Sequence, residues 1–198
     1  MKNIPVLACA LALLLAIPVR RALASAAAGP SAVPETSPSG KSSALSEIRV
    51  GLLLHDGALL FPRRESGHDF NFEILFRSPS WNLFRAVWSP RPHVGASISG
   101  NGDTSQLYGG FTWEWQPFGN AFIDGSLGLS AHDGALTVTR PSREGLGLRV
   151  LFRESFELGY RFHGRYGLSF IVDHISNAGL AKENDGITNV GLRCGYRF

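Results

Sequence analysis

The nine residues Asp69-Phe70-Asn71-Phe72-Glu73-Ile74-Leu75-Phe76-Arg77 alternate with a period of two. An extended chain therefore carries Phe70, Phe72, Ile74 and Phe76 on one side, and Asn71, Glu73 and Leu75 on the other. A helix would scatter the four large side chains around its circumference. The same rhythm recurs, and eight runs can be read from Glu47 onward, separated by Gly, Pro, Asp and Asn. They are Glu47 to Asp56, Asp69 to Arg77, His93 to Asn101, Gln106 to Gln116, Ala121 to His132, Arg149 to Phe162, Tyr166 to Asn177 and Ile187 to Phe198. No stretch shows a sustained 3.6-residue period.

Two architectures bury or cover one face of every strand. A soluble β-sandwich turns the apolar faces inward, whereas a membrane barrel turns them outward to lipid. The runs are about ten to fourteen residues long, which suits tilted membrane-crossing strands better than the five or six usual in soluble sheets. Their polar faces mix Gly and Ser with Glu73, Glu114, Asp124, Arg153, Glu157, Arg161, Asp173, Arg193 and Arg197, charges that a narrow barrel can pair inside. Trp113, Trp115, Tyr160, Phe162, Tyr196 and Phe198 fall near strand ends, where interfacial girdles sit. The expected fold is all-β, an eight-stranded antiparallel transmembrane β-barrel over residues 46–198. An even strand count returns both chain ends to the periplasmic side. Phe198, closing an amphipathic run through Val190, Leu192, Cys194 and Tyr196, resembles the signal that outer-membrane assembly machinery reads.

Ahead of the strands, Lys2 precedes an apolar run from Ile4 to Val19, shorter than the roughly 20 residues that cross a bilayer as a helix. Ala22-Leu23-Ala24 then offers a cleavage site before Ser25, so residues 1–24 read as a secretory signal peptide, with a retained anchor as the alternative. Residues 25–45, rich in Ala, Ser, Pro and Gly, have too few large apolar groups to offset ordering entropy and read as a disordered spacer. The formal net charge of +3 becomes neutral once Lys2, Arg20 and Arg21 are removed, since no acid leaves with them. No basic stripe suggests a nucleic acid partner. Of two cysteines only Cys194 outlasts processing, which rules out an internal disulfide in the mature chain.

Familiar catalytic signatures are missing: there is no G-x-S-x-G elbow, P-loop, H-E-x-x-H or C-x-x-C. His55, His68, His93, His132 and His163 have no metal-ligand spacing, so no metal and no cofactor is expected. His174 differs. Tyr166, Leu168, Phe170 and Val172 share one face, and period two places His174 and Ser176 on that same face. By spacing alone this is either an interfacial polar pair at a strand end or an imidazole and a hydroxyl close enough to cooperate.

His174-Ile175-Ser176-Asn177-Ala178-Gly179-Leu180, followed by Asn184-Asp185-Gly186, resembles the signature of the lipid A 3-O-deacylase (PagL-type) family. Glu73-Ile74-Leu75-Phe76 and the Gly95-to-Gly110 region fit more loosely with relatives described as acyloxyacyl hydrolases. The resemblance implies an exported outer-membrane esterase of Gram-negative cells. It would remove the 3-position ester-linked acyl chain of lipid A, the lipid anchor of lipopolysaccharide. It further implies Ser176 as nucleophile, His174 as its general base and Asn177 in an oxyanion hole. The family's acid would fall at Thr188, which is in phase with Val190 and Leu192 but has no carboxylate. Three readings follow: Glu183, Asp185 or Asn189 orients His174 instead; Thr188 does so as a neutral partner; or turnover is low and the barrel is structural or lipopolysaccharide-binding. A pore is a further reading, although side chains normally fill an eight-stranded barrel.

Overall fold

The computed structural model describes residues 43–57, 64–138 and 140–198. The expected signal peptide and nearly all of the expected spacer lie outside the described residues. The strands are β1 (Leu45–Leu54), β2 (His68–Phe76), β3 (Arg91–Ser99), β4 (Gln106–Phe118), β5 (Ala121–His132), β6 (Val150–Phe162), β7 (Tyr166–Ser176) and β8 (Ile187–Arg197), with one short helix, α1 (Asn82–Ala86). Each strand pairs antiparallel with its sequence neighbour. β1 also pairs with β8, which closes the sheet into an eight-stranded barrel and leaves no free edge. The architecture is the one the alternation predicts.

The faces follow the pleat. Phe70, Phe72, Ile74 and Phe76 point outward and are 36–51% exposed, while Asn71, Glu73 and Leu75 are buried inside. The same inversion holds around the barrel, from Leu52 through Phe111, Leu129 and Phe156 to Leu192. Such a continuous apolar wall around a polar interior is stable only against lipid. Among the described residues no helix is long and apolar enough to cross a membrane.

Arginine–carboxylate networks fill the interior. Arg49 donates to Glu157 at 2.8 Å, Asp124 at 2.6 Å and Glu47 at 2.8 Å. Arg193 donates to Glu73 at 3.0 Å, Glu157 at 3.1 Å and the Tyr108 hydroxyl at 3.0 Å. Arg153 pairs with Asp173 at 3.0 Å and stacks over the Tyr108 ring at 3.7 Å. Near the start of β1, Arg91 and Arg161 converge on Glu114 at 2.8 and 3.0 Å. Multiple hydrogen bonds per ion are what make buried charge tolerable.

The two rims differ. At the end holding the start of β1, Tyr160 packs on Phe162, Tyr166 on Tyr196 and Tyr196 on Phe198, all edge to face. Trp113 and Trp115 belong to the same rim, where Trp113 Nε1 donates to the Val87 carbonyl at 2.8 Å. That bond and the Phe84–Phe111 ring contact fasten α1 to the outer wall. Five residues are too few to show a helical period, so α1 leaves no periodic signal in the sequence. In the structure β1 starts at Leu45, which pairs with Phe76 across a register shift.

The opposite rim carries the described segments 55–57, 64–67, 100–105, 133–138, 140–149 and 177–186. They meet in a polar cap. His55, 1% exposed, bonds Asp69 through Nδ1 at 2.8 Å and Glu65 through Nε2 at 2.9 Å. Glu65 in turn accepts from the Thr104 and Glu144 backbone N–H groups at 2.9 and 3.3 Å.

Candidate active site

His174 lies two residues from the end of β7 on the outer wall and faces Thr188 across the β7–β8 ladder. Its Nδ1 is hydrogen-bonded to Thr188 Oγ1 at 2.7 Å. This bond follows from register: paired residues on one face bring their side chains together. Ser176 is the last residue of β7, on the same face one pleat further, opposite Phe152 of β6. Both His174 and Ser176 are half-buried.

The inner face behind them is apolar and buried. Ile175 and Ile187, the inward neighbours of His174 and Thr188, form an apolar cluster with Leu146 and Leu151, each 1% exposed. A packed backing of this kind limits how far the outer side chains can drift. Above them, Gly186 adopts φ +71°, and a Cβ there would stand 2.9 Å from His174 Cε1 and 3.4 Å from Nε2. Glycine is required twice, for the left-handed backbone and for the room that the imidazole occupies.

Asn177 has a different task from the one the resemblance implies. Its side chain is buried, and Nδ2 donates to the carbonyls of Leu146 at 3.0 Å and Glu183 at 2.6 Å. Its Oδ1 accepts from Gly179 N–H at 2.9 Å. Both amide protons are committed, so the side chain acts as a staple between segments 140–149 and 177–186 and has no donor left for an oxyanion. The backbone N–H of Ala178, at φ +54°, has no hydrogen-bond partner among the described residues. Among the described residues it is the unpartnered backbone donor nearest in sequence to Ser176.

The remaining candidates for orienting His174 sit elsewhere. Asp185 Oδ2 accepts from Arg64 Nη1 at 2.9 Å and from Gly145 N–H at 2.9 Å. Asn189 lies on the inner face beside Asp173 and accepts from Asp56 N–H at 2.9 Å. Glu183 contributes its backbone carbonyl to Asn177. Thr188 alone of the four contacts the ring. Sequence reasoning missed Glu154 on β6, which lies directly across the sheet from His174. The signal was there, since position 154 is in phase with Phe152 and Phe156 and breaks an apolar row.

The other histidines stay apart from this site. His93 Nδ1 is bonded to Thr112 Oγ1 in the lumen at 2.9 Å, and His132 Nε2 donates to the Leu148 carbonyl at 2.7 Å. Among the described residues no group of three or more His, Cys, Asp or Glu could hold a metal ion.

Comparison with solved structures finds similarity to the outer membrane enzyme PagL in its crystal structure. The TM-score is 0.58 at 19% identity, covering 77% of this chain and 100% of that one, a likeness of fold. The outer membrane protein Ail of Yersinia pestis in a phospholipid bilayer nanodisc matches with TM-score 0.44 at 14% identity, covering 79% of this chain and 100% of that one. The comparison with curated proteins gives no match. The family described as lipid A 3-O-deacylase (PagL) matches residues 70–197, nearly the whole barrel with His174, Ser176 and Thr188 inside the match. The chain belongs to the lipid A 3-O-deacylase (PagL) family.

Proposed function

We propose that this protein is an exported outer-membrane esterase that hydrolyses the 3-position ester-linked acyl chain of lipid A, with Ser176 as nucleophile and His174 as general base. The observation that carries the reading is the His174–Thr188 bond on the outward face, with Ser176 one pleat away. In the tautomer with the proton on Nδ1, the ring donates to Thr188 and leaves the Nε2 lone pair open. Ser176 Oγ then adds to the ester carbonyl and its proton passes to Nε2. Collapse expels the lipid A hydroxyl with that proton, and water resolves the acyl-enzyme by the same route. The Ala178 N–H is the proposed oxyanion donor.

Placement supports the substrate. In outer-membrane barrels the longer loops face outside, which puts the end of β7 at the outer leaflet, where lipid A resides. Below His174 and Thr188 an apolar groove on the outer wall is lined by Leu168, Phe170, Val190, Leu192 and Cys194 with parts of β1 and β2. An acyl chain can lie along it without entering the lumen, which agrees with a filled barrel and opposes a pore. Export by a cleaved signal over residues 1–24 and recognition of Phe198 by assembly machinery belong to the same proposal.

Thr188 favours a second reading, a lipopolysaccharide-binding barrel with little turnover, because loss of a triad acid lowers rates by orders of magnitude. Mass spectrometry of lipid A from cells expressing the wild type and Ser176→Ala separates the two. The enzyme removes one 3-linked acyl chain in the wild type only. Identical lipid A profiles from two folded, outer-membrane-inserted proteins would rule catalysis out.

A further inference from the structure

The outer face of β6 runs Phe152, Glu154, Phe156, Leu158, Tyr160, and Glu154 alone breaks the apolar row. It is half-buried and pairs directly with His174, between the pairs Phe152–Ser176 and Phe156–Val172. Directly opposed residues on one face hold their Cβ atoms about 4.5–5.5 Å apart. His174 is therefore flanked by Thr188 from β8 and Glu154 from β6. An ionisable group on a lipid-facing wall is costly, and where one occurs it marks function. Among the described residues Glu154 makes no hydrogen bond or ion pair that would offset this cost.

We propose that Glu154 is the carboxylate of this site, a positioning residue that stabilises charged His174 from β6 in place of the acid that position 188 lacks. The inference rests on the Ser/His reading above. A triad acid does two things: it fixes the imidazole tautomer and it stabilises the imidazolium. Here the two tasks are divided. Thr188 holds Nδ1 without charge, and Glu154 brings charge without holding Nδ1. When the Ser176 proton reaches Nε2, the ring becomes a cation beside an anion in a poorly screened environment. The proton then leaves with the departing lipid alkoxide.

No other acid on the flanking strands shares this face. Asp173, next to His174 in sequence, points into the lumen and is paired with Arg153 at 3.0 Å. On β8 the opposed residue is neutral Thr188, with Asn189 turned inward. In the loop, Asp185 is held by Arg64, Lys182 is exposed, and Glu183 bonds Asn177 through its carbonyl.

The test compares wild type, Glu154→Gln, Glu154→Asp, Ser176→Ala and the double variant Glu154→Gln/Thr188→Glu, each refolded full length in micelles and checked by heat-modifiable gel migration. Activity on lipid A and the titration of His174 in histidine-labelled NMR spectra are read together. Glu154→Gln should lower kcat about ten- to a hundredfold with KM little changed. It should also move the acidic limb of the rate profile and the His174 titration down by about one pH unit. Glu154→Asp should keep most of the activity, and Thr188→Glu should restore turnover in the Gln background. A Glu154→Gln protein with wild-type kcat and wild-type His174 titration overturns the proposal. Should Ser176→Ala be inactive in that case, the Ser/His reading survives and only the Glu154 role falls. An active Ser176→Ala removes both. If the wild type itself shows no esterase activity, an unchanged His174 titration in Glu154→Gln still overturns the proposal, and a lowered one upholds the pairing.

Discussion

Gly186 shows how one residue can govern the site without any chemistry of its own. Its φ of +71° costs a non-glycine residue about 1–2 kcal/mol, and its missing Cβ leaves the space that His174 fills. Gly186→Ala should leave the barrel folded yet push the imidazole away from Ser176. A displacement of under an ångström is enough to lower kcat about ten- to a hundredfold. Activity on lipid A measured beside gel-shift folding checks this; full activity in the alanine variant would show that the ring has room to spare. Asn177→Ala acts through the loop instead. It leaves the Leu146 and Glu183 carbonyls without their donors, at about 1–3 kcal/mol each where they are buried. Hydrogen exchange should rise over residues 178–186 with little change in the strands.

Among the elements, the loop cap responds to pH. Burial disfavours the charged form of His55, but the hydrogen bonds it donates to Asp69 and Glu65 outweigh it and push the imidazole up to about 10. Glu65 is buried too, yet the His55 bond and the Thr104 N–H hold it down at about 2. Glu144 is pushed up to about 7 by burial and by sharing a hydrogen bond with Asp185, against the opposing Arg64 N–H. A raised folded pKa contributes stability below the unfolded value and loses it as pH rises through the folded one; a lowered carboxylate does the reverse. The His55 contribution is thus complete below 6.5 and lost as pH rises through about 10. That of Glu65 is complete above 4.5 and lost as pH falls through about 2. Glu144 weakens the cap as pH climbs from 4.5 through 7. Hydrogen exchange over residues 64–67 and 102–105, corrected for intrinsic rates, should increase from about pH 6 to about pH 10. In His55→Gln the cap should already be loose at the lower pH, with a flatter profile. Equal protection at both pH values in the wild type would mean that His55 is neutral.

For the molecule as a whole, stability lies in the lumen as much as in the lipid-facing wall. Arg193 is 1% exposed and satisfies Glu73 and Glu157 together. Arg193→Met would leave two carboxylates in a medium that solvates them poorly, at a cost of about 3–5 kcal/mol. The midpoint of urea unfolding in lipid vesicles should fall accordingly. The double variant Arg193→Met/Glu73→Gln should recover part of the loss, because it removes one stranded charge. An unchanged midpoint in the single variant would mean that water reaches these groups.

The strand alternation was legible from local sequence, because a two-residue period survives wherever one face meets lipid and the other meets polar groups. So were the strand count, the outward placement of His174, Ser176 and Thr188, and the absent carboxylate at position 188. Interactions between strands were not legible, since they depend on register. Register turned Glu154 from a stray charge in an apolar row into the cross-strand partner of His174. It also grouped lumen arginines and carboxylates that lie more than a hundred positions apart, such as Arg49 with Glu157. Asn177 belongs with these: its motif position suggested a role in catalysis, but its amide is held by carbonyls from two loops whose meeting only the closed barrel brings about. Periodicity is a property of each strand alone, whereas partners are chosen by the closure of the sheet.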